Sequence, residues 1–260
     1  MPGKTPPHNF FDTNLPIALA HRGGDEKFVE NTSAAFDDAY KLGYRYFETD
    51  VHYTVDNELV AFHDNDLTRV MDVDMPIAAL TQKQRLALHK VQKQHVPLLD
   101  ELLKKFPDVY FHIDAKALPA VQPLSEIIKK NHAEKRVCVA SFSAKSLLQL
   151  RKLLPDVYTT VTQREVAHIR FKAPIARIPD VHNRVFSIPT HVFYNHNRLP
   201  LLTPKSIQKL HDKGCKILVW TINEPDEMHR LLDWGVDGLF TDKLRALKKV
   251  LIERGQWPEA

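Results

Sequence analysis

Apolar residues along this chain gather into short runs, separated by longer stretches whose apolar positions recur every three or four residues. Strand-like runs lie near residues 16–20, 44–51, 58–62, 109–115, 136–141, 157–161, 185–189, 216–221 and 237–241. Each is rich in apolar residues over a strand's length. Helical patterns occupy 32–42, 98–105, 120–131, 144–154, 204–213, 225–234 and 243–253. In the first, Ala35, Phe36, Ala39, Tyr40 and Leu42 mark one apolar face, and Asn31 or Thr32 supplies the cap. Thr203-Pro204 and Glu224-Pro225 place proline at a first helical position. Gly43, Gly214 and Gly235 each follow a helical pattern, where a left-handed residue is wanted.

About eight strand-then-helix repeats in one chain predict an α/β fold closed into a (β/α)8 TIM barrel rather than an open sheet. Asp56-Asn57 reads as the turn of a hairpin joining 44–54 to 58–62. The rhythm breaks over 64–97, which is polar and holds one short helical stretch, Thr81 to His89. It reads as a small insertion between the second and third barrel strands. Residues 1–14 carry three prolines and no periodicity, so a loosely held N-terminal arm is expected, with 15–260 forming a single barrel domain.

Composition narrows the class without fixing the chemistry. The 260 residues are 43% hydrophobic and 26% charged, ordinary for a globular protein. Net charge is +4, and the lysine pairs 104–105, 129–130 and 248–249 fall where helix ends are expected. Nucleic-acid binding is therefore not expected, whereas a small anionic substrate suits the mild positive bias. Cys138 and Cys215 sit beside apolar strand residues and read as buried, unpaired thiols. No apolar stretch reaches the roughly 18 residues of a spanning helix. Ala18-Leu19-Ala20 imitates a signal-peptidase site, but Asp12, Asn14 and Pro16 precede it in place of an apolar segment, so a cytoplasmic location is expected.

The chemistry lies where strands end. His21-Arg22-Gly23 closes the first apolar run, and His63-Asp64 closes the hairpin's return arm. Glu48 and Asp50 lie two apart late in the second run, hence on one face; Asp114 and Lys116 repeat that spacing in the third. In a parallel barrel all these positions gather at the carboxyl-end mouth. Glu48, Asp50 and Asp114 offer hard oxygen donors that favour Mg²⁺ or Ca²⁺ over zinc. Arg22 and Lys116 suit phosphate oxygens. His21 and His63 remain for proton transfer, one to each side of an in-line displacement at phosphorus.

At these residues the chain resembles the glycerophosphodiester phosphodiesterase family. The likeness rests on His21-Arg22-Gly23, Glu30-Asn31-Thr32, Glu48-Thr49-Asp50-Val51, His63-Asp64 with Leu67, Val219-Trp220-Thr221-Ile222-Asn223, and Gly235-Val236-Asp237-Gly238-Leu239-Phe240-Thr241-Asp242. It implies a (β/α)8 barrel, one divalent cation (Mg²⁺ or Ca²⁺, with Mn²⁺ also admitted), and hydrolysis of glycerophosphodiesters such as glycerophosphocholine or glycerophosphoethanolamine to glycerol 3-phosphate and an alcohol. By position it implies His21 and His63 as the acid–base pair, Glu48 and Asp50 as metal ligands, Arg22 and Lys116 on phosphate, and Trp220 in the substrate wall.

Three departures from the family pattern stand out. Asp114 replaces a glutamate, one methylene longer, in His112-Ile113-Asp114-Ala115-Lys116. His112 replaces an amide, and Val29 a proline. His52 shares the face of Glu48 and Asp50, and a hydrogen-bonding role at the rim is expected for it. Asp64 is expected to orient His63. The loop 182–203 is rich in His182, Phe186, His191, Phe193, Tyr194, His196, Leu199, Leu201 and Leu202. As an apolar rim it would accept an acyl chain beside the phosphate site, making lysophospholipase D activity the alternative reading.

Overall fold

The computed structural model describes residues 9–24, 26–92, 96–162, 165–166, 183–194 and 197–258. Among these, eight strands pair in parallel around a closed barrel. They are β1 (Ile17–Ala20), β2 (Tyr46–Tyr53), β4 (Tyr110–Ala115), β5 (Val137–Ala140), β6 (Tyr158–Thr160), β7 (Arg184–Pro189), β10 (Lys216–Trp220) and β11 (Gly238–Thr241). Closure comes from β1, which pairs with both β2 and β11. The expected hairpin is present: β3 (Leu59–Ala61) runs antiparallel to β2, and Asn57 turns the corner at φ 63°. A second antiparallel hairpin, β8 (His191–Tyr194) with β9 (Asn197–Pro200), follows the sixth barrel strand.

Helices α1 (Ser33–Lys41), α4 (Leu99–Lys105), α5 (Val121–Lys130), α6 (Ala144–Leu153), α7 (Pro204–His211), α8 (Pro225–Asp233) and α9 (Leu244–Glu253) follow barrel strands or their hairpins. Thr32 caps α1, accepting the Ala35 N–H at 3.2 Å, and Thr203 caps α7 with Pro204 behind it. Between β3 and α4 lie α2 (Thr68–Met71) and α3 (Gln82–Gln92). The sequence reads this segment as polar, yet it buries its own apolar cluster of Phe62, Leu67, Met71, Ile77, Leu80 and Val96. Among the described residues no helix is long and apolar enough to cross a membrane. Both cysteines are buried and unpaired, as expected.

Alternation along each strand sorts side chains into the barrel or out toward the helices. On β2, Phe47 and Val51 face the helical layer; on β4, Phe111 and Ile113 do the same. The interior has a floor and a mouth. Tyr46, Tyr110, Tyr158, Ile17 and Leu19 fill the amino-terminal floor, with Tyr46 stacked on Tyr110 at 4.6 Å. Here the expectation of a loosely held arm fails for Phe10 and Phe11, which are 0% and 6% exposed. Phe10 lies edge-on to Tyr46 and Tyr110, and its carbonyl accepts the Tyr46 hydroxyl at 3.0 Å. A barrel floor left open to water would expose these rings, and the arm covers them. The apolar floor leaves the polar interior positions to the other end.

Candidate active site

The first element of the site is a sharp turn. β1 ends at Ala20, and His21–Gly23 form one 3₁₀ turn in which Arg22 has φ 53° and Gly23 φ 81°. Left-handed backbone is unusual for arginine, and the surroundings hold it there. The Arg22 carbonyl accepts the Asn31 N–H at 2.7 Å, and its own N–H donates to Glu48 Oε2 at 3.1 Å. Gly23 is required by space as well as by φ: a Cβ there would lie 2.8 Å from the Ala35 Cβ. Close packing of α1 against this turn thus sets where His21 and Arg22 emerge.

β2 and β4 run in register, with Glu48 opposite His112 and Asp50 opposite Asp114. Glu48, Asp50 and Asp114 are all buried. Asp50 is the hub. Its Oδ1 lies 2.6 Å from Lys116 Nζ, its Oδ2 lies 3.3 Å from Arg22 Nε, and Asn31 Nδ2 donates to Oδ2 at 3.2 Å. Asn31, read as a cap candidate, is therefore spent on Asp50, and Thr49 donates to its Oδ1 at 2.8 Å. Burial would raise the Asp50 pKa, but Lys116 and Arg22 outweigh it and the value falls. Glu48 goes the other way: burial, then the charge of Asp50, lifts its carboxyl well above the ordinary range. Asp114 is raised for the same reasons, although Lys116 Nζ donates to its Oδ2 at 2.9 Å.

The two histidines share one arrangement. His21 Nδ1 is 2.6 Å from Asp242 Oδ1, and His63 Nδ1 is 2.6 Å from Asp64 Oδ1. An ionised carboxylate only accepts, so in each ring Nδ1 carries the hydrogen and Nε2 is left for other chemistry. Asp242 is held in turn by Asn223 Nδ2 at 2.9 Å, and its pKa is lowered: burial opposes, but the bond and charge of His21, with Asn223 and Arg22, together outweigh it. Asp64 is held by Arg69, whose hydrogen bond is the main cause of a pKa lowered to about 2. Burial works against a charged His21, yet Glu48, 3.8 Å from its Nε2, and Asp242 together raise its pKa.

All eight residues singled out by sequence (His21, Arg22, Glu48, Asp50, His63, Asp114, Lys116 and Trp220) line one cavity of about 580 Å³. Its other wall is apolar: Val161, Val166, Ile188, Val192, Leu199 and Leu201, with Phe142 at the mouth. Phe142 is 64% exposed and lies edge-on to Trp220 at 6.1 Å. The loop 182–203 contributes less uniformly than its composition implies. Phe186 faces the helical core and is fully buried, whereas Val192, Leu199 and Leu201 reach the cavity. His182 and His196, and the side chains of Phe193 and Tyr194, lie outside the described residues. His52 does not line the cavity; its Nε2 is 3.1 Å from the His63 carbonyl oxygen, at the rim. His112 does line it, edge-on to Phe240 at 5.0 Å, with its pKa pushed down to about 3 by burial.

Glu48, Asp50 and Asp114 share the cavity, yet among the described residues no three His, Cys, Asp or Glu side chains close around a common point for a metal ion. The Lys116 ammonium sits between Asp50 and Asp114 and partly neutralises both. The donor set nonetheless fits a hard cation. Asp114 Oδ1 is buried without a hydrogen-bond partner, an acceptor that such a cation would satisfy.

Sequence reading gave no role to Asp242, Asn223, Arg69 or Phe142. Asp242 is 221 residues from its histidine partner, and only closure of the barrel brings them together. The signal was its place just after the last strand, the position at which His21 follows the first.

Comparison with known proteins identifies the family. The model of the glycerophosphoryl diester phosphodiesterase family matches residues 21–246. A Mycobacterium tuberculosis protein named probable glycerophosphodiester phosphodiesterase 2 is 31% identical over an alignment of 269 residues, covering 99% of both chains. A human lysophospholipase D is 25% identical, with 90% of this chain and 85% of that protein covered. An Oleispira antarctica phosphodiesterase, solved in complex with the product sn-glycerol-3-phosphate, shares the fold with a TM-score of 0.72 at 19% identity, over 92% of this chain and 97% of that one. The chain belongs to the glycerophosphoryl diester phosphodiesterase family.

Proposed function

We propose that this site hydrolyses glycerophosphodiesters such as glycerophosphocholine or glycerophosphoethanolamine to glycerol 3-phosphate and the free alcohol, with His21 and His63 moving the protons. The observation that carries this reading is the paired imidazoles: each has Nδ1 fixed at 2.6 Å to a carboxylate, and both line one cavity with Arg22 and Lys116. Two cationic side chains beside two proton carriers suit a phosphodiester, whose charge must be held while one P–O bond forms and another breaks.

Each residue has a task in that displacement. Arg22 and Lys116 hold phosphoryl oxygens, the guanidinium by its fork and the ammonium as a point charge. One imidazole takes the proton of the attacking water through its free Nε2. The other gives a proton to the alcohol oxygen as its bond to phosphorus breaks. Asp64 and Asp242 keep each ring in one tautomer through the transfer. Trp220 and the apolar wall pack against the rest of the substrate and exclude water from one side. Glu48, Asp50 and Asp114 are the residues that would hold a divalent cation, Mg²⁺ or Ca²⁺, with Mn²⁺ admitted by the same oxygen donors. Bound there, such an ion supplies positive charge to a phosphoryl oxygen.

A second reading has its own support. The apolar wall formed by Val161, Val166, Ile188, Val192, Leu199 and Leu201 exceeds what glycerol and phosphate need, and it suits one acyl chain. Lysophospholipase D activity would use the same histidines. A release assay separates the readings: glycerophosphocholine and lysophosphatidylcholine are each incubated with protein, and liberated choline is measured with and without chelator. Choline release from the deacylated substrate, lost on chelation, is the expected result. Faster release from lysophosphatidylcholine would favour the second reading. No release from either, with Mg²⁺, Ca²⁺ and Mn²⁺ each supplied, would end both.

A further inference from the structure

One guanidinium on the rim touches both halves of the site. Arg69, in α2, donates from Nε to Asp64 Oδ2 at 2.6 Å and from Nη2 to Asp64 Oδ1 at 3.1 Å. The same side chain donates from Nη2 to Glu30 Oε1 at 2.5 Å and from Nη1 to Glu30 Oε2 at 3.3 Å. Asp64 accepts His63 Nδ1–H at 2.6 Å, and Glu30 accepts Arg22 Nη1–H at 3.1 Å. A continuous chain thus runs from His63 through Asp64, Arg69 and Glu30 to Arg22. We propose that Arg69 is a positioning residue that fixes the tautomer and orientation of His63 through Asp64 and aims Arg22 through Glu30. The assignment rests on the roles proposed above for His63 and Arg22.

The geometry favours this over an ordinary surface ion pair. An isolated exposed pair contributes little, because two long side chains must be ordered against water and salt. Arg69 differs in being two-pronged on each of two carboxylates at once, which fixes both carboxylate planes. Its side chain is 53% exposed, but Asp64 and Glu30 are only 21% and 17% exposed. Fixing the Asp64 plane matters because a carboxylate free to rotate could offer either oxygen, or neither, to the imidazole. With Asp64 ionised and held, Nδ1 of His63 must carry the hydrogen, and Nε2 keeps its lone pair. Across the cavity the neutral amide of Asn223 performs the matching task for Asp242 and His21. The segment between β3 and β4, otherwise a cover for the hairpin, thereby acquires a part in the reaction.

The test uses Arg69→Met, Arg69→Ala and Arg69→Lys in the full chain, with steady-state kinetics on glycerophosphocholine and ¹⁵N spectroscopy of the histidine rings. Arg69→Met is expected to lower kcat by about 10–100-fold, the usual cost of losing a partner that orients a reacting group. Its thermal midpoint should stay near wild type, because the side chain is half exposed. Arg69→Lys should recover little, since an ammonium cannot fork onto two carboxylates. Guanidinium ion added to Arg69→Ala should restore part of kcat, and it should not stimulate wild type. In an Asp64→Asn background, Arg69→Met should add no further loss of kcat, leaving only a rise in KM through Glu30 and Arg22. The His63 ring should show Nδ1–H in wild type and a mixture of tautomers in Arg69→Met. An unchanged kcat, an unchanged His63 tautomer, or a loss that tracks unfolding without rescue by guanidinium would overturn the proposal. If wild type cleaves no glycerophosphodiester, the functional reading falls, but the tautomer measurement still decides whether Arg69 positions His63.

Discussion

His21→Ala and His63→Ala are each expected to lower kcat for glycerophosphocholine by about 10²–10⁴-fold, the range that general acid–base groups contribute. Neither change should unfold the protein. The side chains are 16% and 34% exposed at the cavity mouth, and truncation there opens onto solvent rather than into the core. The double variant should be scarcely worse than either single one, because acid and base act in the same displacement and removing one idles the other. A substrate whose leaving alcohol is acidic, such as a nitrophenyl phosphodiester of glycerol, needs no proton on departure. The variant lacking the acid should therefore recover on that substrate, and the variant lacking the base should not. Steady-state kinetics of the two variants on the two substrates measures this. Full activity in either alanine variant would remove that histidine from the reaction.

Asp50→Ala is expected to lose both activity and stability, which sets it apart from the histidines. Asp50 is 3% exposed in its side chain and holds Lys116, Arg22 and Asn31 together. Its removal leaves the Lys116 ammonium, 15% exposed, with Asp114 alone. Breaking one side of a buried pair costs about 3 kcal/mol or more. For a chain of this size that lowers the thermal midpoint by roughly 6–12 °C. With Asp50 gone, Arg22 and Lys116, the side chains proposed to hold phosphate, also lose their aim, and kcat/KM should fall by at least about 100-fold. A divalent cation bound by the folded state raises the thermal midpoint by mass action. That rise should appear in wild type with Mg²⁺ or Ca²⁺ and vanish in Asp50→Ala. A retained rise would mean that the cation binds away from Glu48, Asp50 and Asp114.

Much of the fold was legible because barrel strands carry a strong local signal. The runs at 16–20, 109–115 and 237–241 became β1, β4 and β11 within a residue or two at each end. Parallel strands buried on both faces must be apolar over most of their length, and polar interior positions then stand out as chemistry. That is why Glu48, Asp50 and Asp114 were visible at once. The floor was not, because Phe10 and Phe11 form no periodic pattern and pack against tyrosines of three different strands. Nor was Lys116 bridging two aspartates: spacing puts it on their side of the barrel but does not say which partner its long side chain takes. Arg69 was not singled out within the polar segment 64–97. Its significance depends on Glu30, 39 residues away, and local sequence carries no trace of that distance.

The most direct test of this site is a crystal structure with sn-glycerol 3-phosphate and Ca²⁺ soaked or co-crystallised. The phosphate is expected between the His21 and His63 rings, touching Arg22 and Lys116, with Ca²⁺ on Glu48, Asp50 and Asp114 and the glycerol toward Trp220. A phosphate bound outside that cavity, or imidazoles turned away from it while Arg22 and Lys116 stay on Asp50, would contradict it.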